Sequence, residues 1–212
     1  MRFRNRIEAG GLLARNIVAR NAVVLGIPRG GVVVAKPVAE KLRCMLGVLI
    51  VRKIALPSSP EAAFGAMTRE GKPLYDEAAK SHLGVGGGEL RRIEAGVRKE
   101  IERRENLYGR KFPRLKGREV VIVDDGLATG CTMLAAIASV QLRKPEKIIV
   151  AVPVAAADAH ELVTSACDEL VCLHVAHDLR FAVGSYYEEF GDVADREVIN
   201  ILEKSRARGS AQ

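Results

Sequence analysis

Tryptophan is absent from this 212-residue chain, and other aromatic rings are few: five Phe and four Tyr. A core built on rings is therefore excluded, and Val, Ala, Leu and Ile must fill it, which suits a parallel sheet covered by helices. Paired cysteine spacing is also missing. Cys44, Cys131, Cys167 and Cys172 lie too far apart for a zinc or redox motif, so three read as small core residues and Cys131 as a loop residue. No apolar run reaches the roughly 18 residues needed to span a bilayer. The opening MRFRNRIEAGG carries charge where a signal peptide needs apolar residues. The expectation is a cytoplasmic protein with no membrane partner. His174 and His177 with Asp178 lack the density of a metal centre and read as surface or hydrogen-bonded groups.

The formal net charge of +7 favours anionic ligands. Much of the positive charge lies between Arg91 and Arg118, interleaved with glutamates. Glu94 with Arg98, and Glu100 with Arg104, stand four apart, the helical spacing of solvated ion pairs. No aromatic rings are interleaved to stack bases. A salt-bridged surface helix is favoured there over a nucleic-acid face.

Hydrophobic periodicity predicts a first helix over 5–20 with Asn5 as its cap. A strand over 22–27, the turn Pro28-Arg29-Gly30-Gly31, a helix over 32–43 with Pro37 near its first turn, and a strand over 46–51 follow. Pro57, Ser58, Ser59 and Pro60 read as a loop. Residues 62–75 read as a hairpin on the main sheet, turning at Arg69-Glu70-Gly71. Gly84 to Gly88 form a hinge before a helix over 89–108. Strands over 119–124, 148–153 and 169–174 alternate with helices over 131–142 and 155–166. A last helix runs from Asp195 to Ser205. The alternation implies an α/β fold: a parallel sheet of about five strands with right-handed crossovers.

The most chemically specific stretch is VVIVDDGLATGCTM, from Val120 to Met133. Four β-branched residues suit a strand buried on both faces, and the helix that follows makes the intervening loop a strand-to-helix turn. Such turns sit at the carboxyl edge of a parallel sheet, where ligands bind. Gly130 allows close backbone approach, Thr129 and Thr132 offer hydroxyls, and the first helix amides point unpaired at an anion. Asp124 and Asp125 are acceptors suited to paired hydroxyls or to the vicinity of a ligand-borne metal. Cys131, at a helix N-terminus, has the setting of a reactive thiol, but no histidine stands near it in sequence.

This run is similar to the phosphoribosyl pyrophosphate signature of type I phosphoribosyltransferases: four apolar residues, two acids, three variable positions, then Thr-Gly-x-Thr. The resemblance implies that Asp124 and Asp125 hold the ribose hydroxyls, and that Ala128, Thr129, Gly130, Cys131 and Thr132 hold the 5-phosphate. It also places Arg29, Gly30 and Gly31 in the pyrophosphate loop, where a cis peptide is common, and likens Arg52-Lys53 to the basic pair that precedes a flexible lid, here 54–72. A further lysine expected soon after that pair is replaced by Ala55, Leu56 and Pro57, leaving Arg69 and Lys72 as substitute lid cations. Asp124, Asp125, Lys53 and Arg29 are the expected catalytic set, with Mg2+ carried by the substrate near the acids.

The resemblance extends over one domain spanning 1–212, with a hood from about 178–192 and the N-terminus. Val183, Gly184, Tyr187 and Phe190 match a C-terminal element of predicted phosphoribosyltransferases whose acceptor sequence does not assign. Phe181 or Tyr186 can stack on an acceptor ring, or simply pack the terminal helix. Ala128 replaces the aspartate proposed to handle a proton in hypoxanthine and guanine enzymes. The implied activity is transfer of ribose 5-phosphate from phosphoribosyl pyrophosphate to a nitrogenous, nucleobase-like acceptor with release of diphosphate, with a homodimer common among relatives. The alternatives are a sensor of phosphoribosyl pyrophosphate or a nucleotide, and a phosphate-ester or nucleotide hydrolase.

Overall fold

A computed structural model describes residues 1–56, 59–68, 73–109, 112–178 and 180–209, with backbone alone for 59–62 and 207–209. Five strands form one parallel sheet: β1 (Val23–Gly26), β2 (Met45–Val48), and, after the antiparallel sheet and helices described below, Glu119–Val123, Lys147–Ala156 and Glu169–Ala176. The expected five-stranded parallel sheet is therefore present. Successive side chains of a strand point to opposite faces. Val24, Val121, Val123, Ile149 and Ala151 pack on one face with the helices α1 (Arg6–Ala14), α2 (Gly30–Leu42) and the terminal helix Asp195–Gly209. Val23, Leu25, Val120, Ile122, Val150 and Val152 pack on the other with the helices Cys131–Gln141 and Ala157–Thr164. Each such buried aliphatic side chain contributes about 1.5–3 kcal/mol relative to exposure, so double-sided burial explains the unbroken β-branched run at 120–123.

Asn5 caps α1 by accepting the Glu8 amide at 3.1 Å. The second helix starts at Gly30, not Val32, so Pro37 falls inside it rather than near its first turn. Proline there removes one backbone hydrogen bond. The first helix crosses close by: a Cβ on Gly10 would lie 2.3 Å from the Val34 carbonyl oxygen and 2.6 Å from Pro37 Cγ.

The region read as a loop and a hairpin on the main sheet is instead a separate antiparallel sheet of three strands, β3 (Arg52–Leu56), β4 (Ser59–Met67) and β5 (Leu74–Tyr75). Arg52 and Lys53 therefore open β3 instead of ending β2, which stops at Val48. The described part of the expected lid, 54–56 and 59–68, is largely strand; Arg69 and Lys72 lie outside the described residues. An unforeseen short helix, α3 (Glu77–His82), follows, capped by Asp76 on the Ala79 amide at 2.9 Å. It buries none of its residues, so it left no periodic signal to read. The charged helix α4 (Gly87–Tyr108) starts two residues before its expected position. Glu100 pairs there with Arg104 and Arg103, each at 2.8 Å, while Glu94 accepts from the Tyr75 hydroxyl. In chain order the remaining strands are β6 (Glu119–Val123), β7 (Lys147–Ala156) and β8 (Glu169–Ala176), and the remaining helices α5 (Cys131–Gln141), α6 (Ala157–Thr164) and α7 (Asp195–Gly209).

Candidate active site

The main-sheet order is β2-β1-β6-β7-β8. From β1 the chain continues outward to β2, whereas β6 lies on the other side of β1, so the order reverses between them. In open α/β sheets the crevice beyond the carboxyl ends of such a strand pair is where ligands bind. The turn 27–30 and the loop 124–130 flank that crevice.

The two loops are packed against each other. The Ile27 amide donates to the Val123 carbonyl at 2.9 Å, and the Pro28–Arg29 peptide is cis. A Cβ on Gly30 would lie 1.9 Å from Asp125 Oδ2, and one on Gly31 would lie 2.7 Å from the Val123 carbonyl oxygen and 2.8 Å from Asp124 Oδ1. Only glycine permits that approach. The turn expected to meet diphosphate thus lies directly on the paired acids.

Asp124 and Asp125 are half-buried at the end of β6. Asp124 Oδ1 accepts the Asp125 amide at 2.9 Å. Burial, then the Asp125 charge beside it, pushes the Asp124 carboxyl well above the usual carboxylate range, partly opposed by that amide and by the charges of Arg6 and Lys53. Asp125 Oδ2 is ion-paired with Arg6 Nε at 2.8 Å, and the Tyr187 hydroxyl donates to the Asp125 carbonyl oxygen at 2.7 Å.

Beyond the acids, Leu127 is tied to β7 through its amide to Val154 and its carbonyl from the Ala156 amide, each at 2.9 Å. Ala128 and Thr129 are left exposed. Gly130 adopts φ 76°, in the left-handed region that favours glycine, and opens α5 with no side-chain cap on its first amides. Thr132 is half-buried in the first turn, and Cys131 Sγ lies 3.9 Å from the Thr129 carbonyl oxygen. The exposed Thr129 and half-buried Thr132 hydroxyls beside uncapped amides suit an anion.

The cations stand around this crevice. Arg29 and Lys53 are exposed, and Arg52 is half-buried. The Arg52 guanidinium is pushed down from its ordinary pKa by burial, then by the positive charge of Arg104, with Arg103 and Arg29 adding to it and Glu100 opposing. Arg52 opens β3, which packs beside α4. Lys53 acts on Asp124. Among the described residues no group of three or more His, Cys, Asp or Glu side chains is placed to hold a metal ion. The two acids offer oxygen ligands of the kind that a hydrated divalent cation takes.

Residues 181–187 lie over the acid loop. A Cβ on Gly126 would meet Val183 Cγ1 at 2.6 Å. Tyr186 packs against Phe181 and His174, ring centroids 5.4 Å apart in both cases, and its hydroxyl donates to Asp178. Tyr186 is only 9% exposed, whereas Phe181 remains half-exposed. Sequence reading passed over Arg6. Nothing in its helical neighbourhood signals a partner 119 residues away.

The chain resembles known proteins along nearly its whole length. Residues 5–189 match the phosphoribosyl transferase domain family. Rv0571c of Mycobacterium tuberculosis H37Rv, a protein named provisionally as a phosphoribosyl transferase, is 38% identical over 210 residues, 96% of this chain and 47% of that protein. The chain therefore spans about half the length of the curated relatives it matches. The crystal structure of TT1426 from Thermus thermophilus superposes with a TM-score of 0.80 at 42% identity, covering 96% of this chain and 99% of the other. Paired acids at the strand-order reversal, followed by a glycine-threonine loop and faced by a glycine-lined turn, agree with that match, and the chain belongs to the phosphoribosyl transferase domain family.

Proposed function

We propose that this chain transfers ribose 5-phosphate from phosphoribosyl pyrophosphate to a nitrogenous, nucleobase-like acceptor, releasing diphosphate. One observation carries the reading: Gly30 and Gly31 of the pyrophosphate turn lie against Asp125 and Asp124, beside the uncapped start of α5. A ligand with phosphate at one end, vicinal hydroxyls in the middle and diphosphate at the other fits those three chemistries in that order.

In this reading the amides and hydroxyls of 128–132 hold the 5-phosphate, and Asp124 and Asp125 accept from the ribose hydroxyls. Arg29, Arg52 and Lys53, with the amides of Gly30 and Gly31, receive the diphosphate. As the acceptor nitrogen attacks the anomeric carbon and the C–O bond to diphosphate breaks, positive charge grows on the ring, where the two carboxylates stabilise it. Magnesium, bound with the substrate, neutralises part of the charge on the departing diphosphate. Ala128 supplies no proton acceptor, so catalysis rests on positioning and charge. Phe181 is the open ring for an acceptor, and Tyr186 braces it. All four cysteines are free thiols, which suits a cytoplasmic setting.

The test is calorimetry of Asp125→Asn with phosphoribosyl pyrophosphate and magnesium. The substitution keeps volume but removes the charge, and affinity falls about tenfold or more. Unchanged affinity in a folded variant refutes the ribose assignment. If wild type binds tightly but releases no diphosphate across purines, pyrimidines and small amines, the chain is a sensor and not a transferase.

A further inference from the structure

We infer that Arg6 is a positioning residue for the ribose site, holding Asp125 in the orientation that accepts a sugar hydroxyl. The inference rests on the functional reading above and goes beyond the family signature, because Arg6 lies outside all three loops.

Arg6 is the first residue of α1, yet its side chain is only 11% exposed. Nε donates to Asp125 Oδ2 at 2.8 Å and Nη1 donates to the Gly191 carbonyl at 2.9 Å. The guanidinium carbon stands 3.9 Å from the Phe190 ring centroid and 6.0 Å from that of Tyr187. A planar fork that stacks while donating along two directions is arginine geometry, which lysine does not reproduce. Tyr187 in turn donates its hydroxyl to the Asp125 carbonyl oxygen. The acid is thus held at both backbone and carboxylate.

The holding group is itself anchored. Phe3 forms a bridge with Tyr187, and its amide donates to the Tyr186 carbonyl at 2.8 Å. Its carbonyl accepts from the Glu188 amide at 2.8 Å, and the Arg4 carbonyl accepts from the Glu189 amide at 2.9 Å. Residues 3–4 and 186–189 form a strap, and Arg6 is where that strap reaches the acids. With Oδ2 committed to Arg6 and packed against Gly30, Oδ1 has no protein donor among the described residues and is left for a sugar hydroxyl. A carboxylate with one oxygen fixed loses its rotational freedom before the sugar arrives, so less entropy is lost on binding.

Calorimetry with ribose 5-phosphate, 2-deoxyribose 5-phosphate and inorganic diphosphate tests this. In Arg6→Met, affinity for ribose 5-phosphate falls about tenfold. Its preference over the deoxy sugar shrinks toward one, while inorganic diphosphate binds within about twofold of wild type. Arg6→Lys restores part of the preference by keeping the charge. Phe3→Leu, which loosens the strap without touching the carboxylate, lowers thermal stability but keeps the preference. Should Arg6→Met not fold, Arg6→Gln carries the same expectation. A folded Met or Gln variant with wild-type sugar preference overturns the role of Arg6 alone. Wild-type protein that binds neither sugar phosphate overturns the functional reading, and this inference with it.

Discussion

Gly30 and Gly31 are adjacent, yet alanine at each position perturbs a different property. At Gly31 two of the obstacles are backbone atoms that cannot rotate aside, the Val123 carbonyl oxygen at 2.7 Å and Asp124 Cα at 2.9 Å, and the third is Asp124 Oδ1 at 2.8 Å. Overpacking of this kind costs about 3 kcal/mol at the upper end of its usual range. Alanine in the first turn of α2 recovers up to about 1 kcal/mol of helix propensity, leaving a loss of roughly 2 kcal/mol. In a domain of this size that lowers Tm by about 4–8 °C. At Gly30 the obstacle is Asp125 Oδ2 at 1.9 Å, the end of a side chain that can turn. Turning it breaks the 2.8 Å pair with Arg6, a charge-assisted bond of about 1.5–3 kcal/mol, again offset in part by propensity. Stability then changes by only about 1–2 kcal/mol, but the carboxylate has left the position proposed for the ribose. Affinity for phosphoribosyl pyrophosphate falls about 10- to 100-fold, as 1.4–2.8 kcal/mol of lost interaction implies. Scanning calorimetry and titration calorimetry on both variants separate the effects. Wild-type affinity in Gly30→Ala, or an unchanged Tm in Gly31→Ala, refutes the packing of the turn on the acids.

Two further outcomes follow from the charges. The Asp124 carboxyl is raised in the folded protein, so the folded state holds its proton more tightly than the unfolded chain. Stability from this group is present below its unfolded value of about 3.9 and is lost as pH rises through the raised value. Asp124→Asn, which keeps Oδ1 for the Asp125 amide, therefore raises Tm at pH 7 while weakening ligand binding; thermal scans showing a lower Tm at pH 7 contradict the assignment of a costly buried charge. Glu100 behaves oppositely: the hydrogen bond from Arg103, then that from Arg104, holds it down to about 2 against the cost of burial. Its stabilisation is present above the unfolded value of about 4.3 and disappears as pH falls through about 2. Urea denaturation of Glu100→Gln between those limits gives a flatter acid limb than wild type.

The main sheet was legible because burial on both faces is the natural setting for a run such as Val120-Val121-Ile122-Val123, and because each run ends in a turn before a helical period. The strand-to-helix turn that carries the acid pair and the glycine-threonine loop was legible for a related reason: these residues are consecutive in the chain and their spacing is that of one loop. The hood was not. Pro57 to Pro60 look like loop-breakers, yet β4 begins at Ser59 in a sheet with register shifts around Ala55, and edge or bulged strands tolerate the residues that a regular central strand excludes. Arg6 was hidden more deeply, since its role depends on α1 returning to the sheet edge beside 187–191, a tertiary fact with no local periodicity. What sequence order conceals is the sharing of one carboxylate: Asp125 serves the turn through Gly30, the N-terminal helix through Arg6 and the C-terminal segment through Tyr187. A site assembled this way lets Arg6, which belongs to no motif, act on the proposed ribose site through the carboxylate of Asp125.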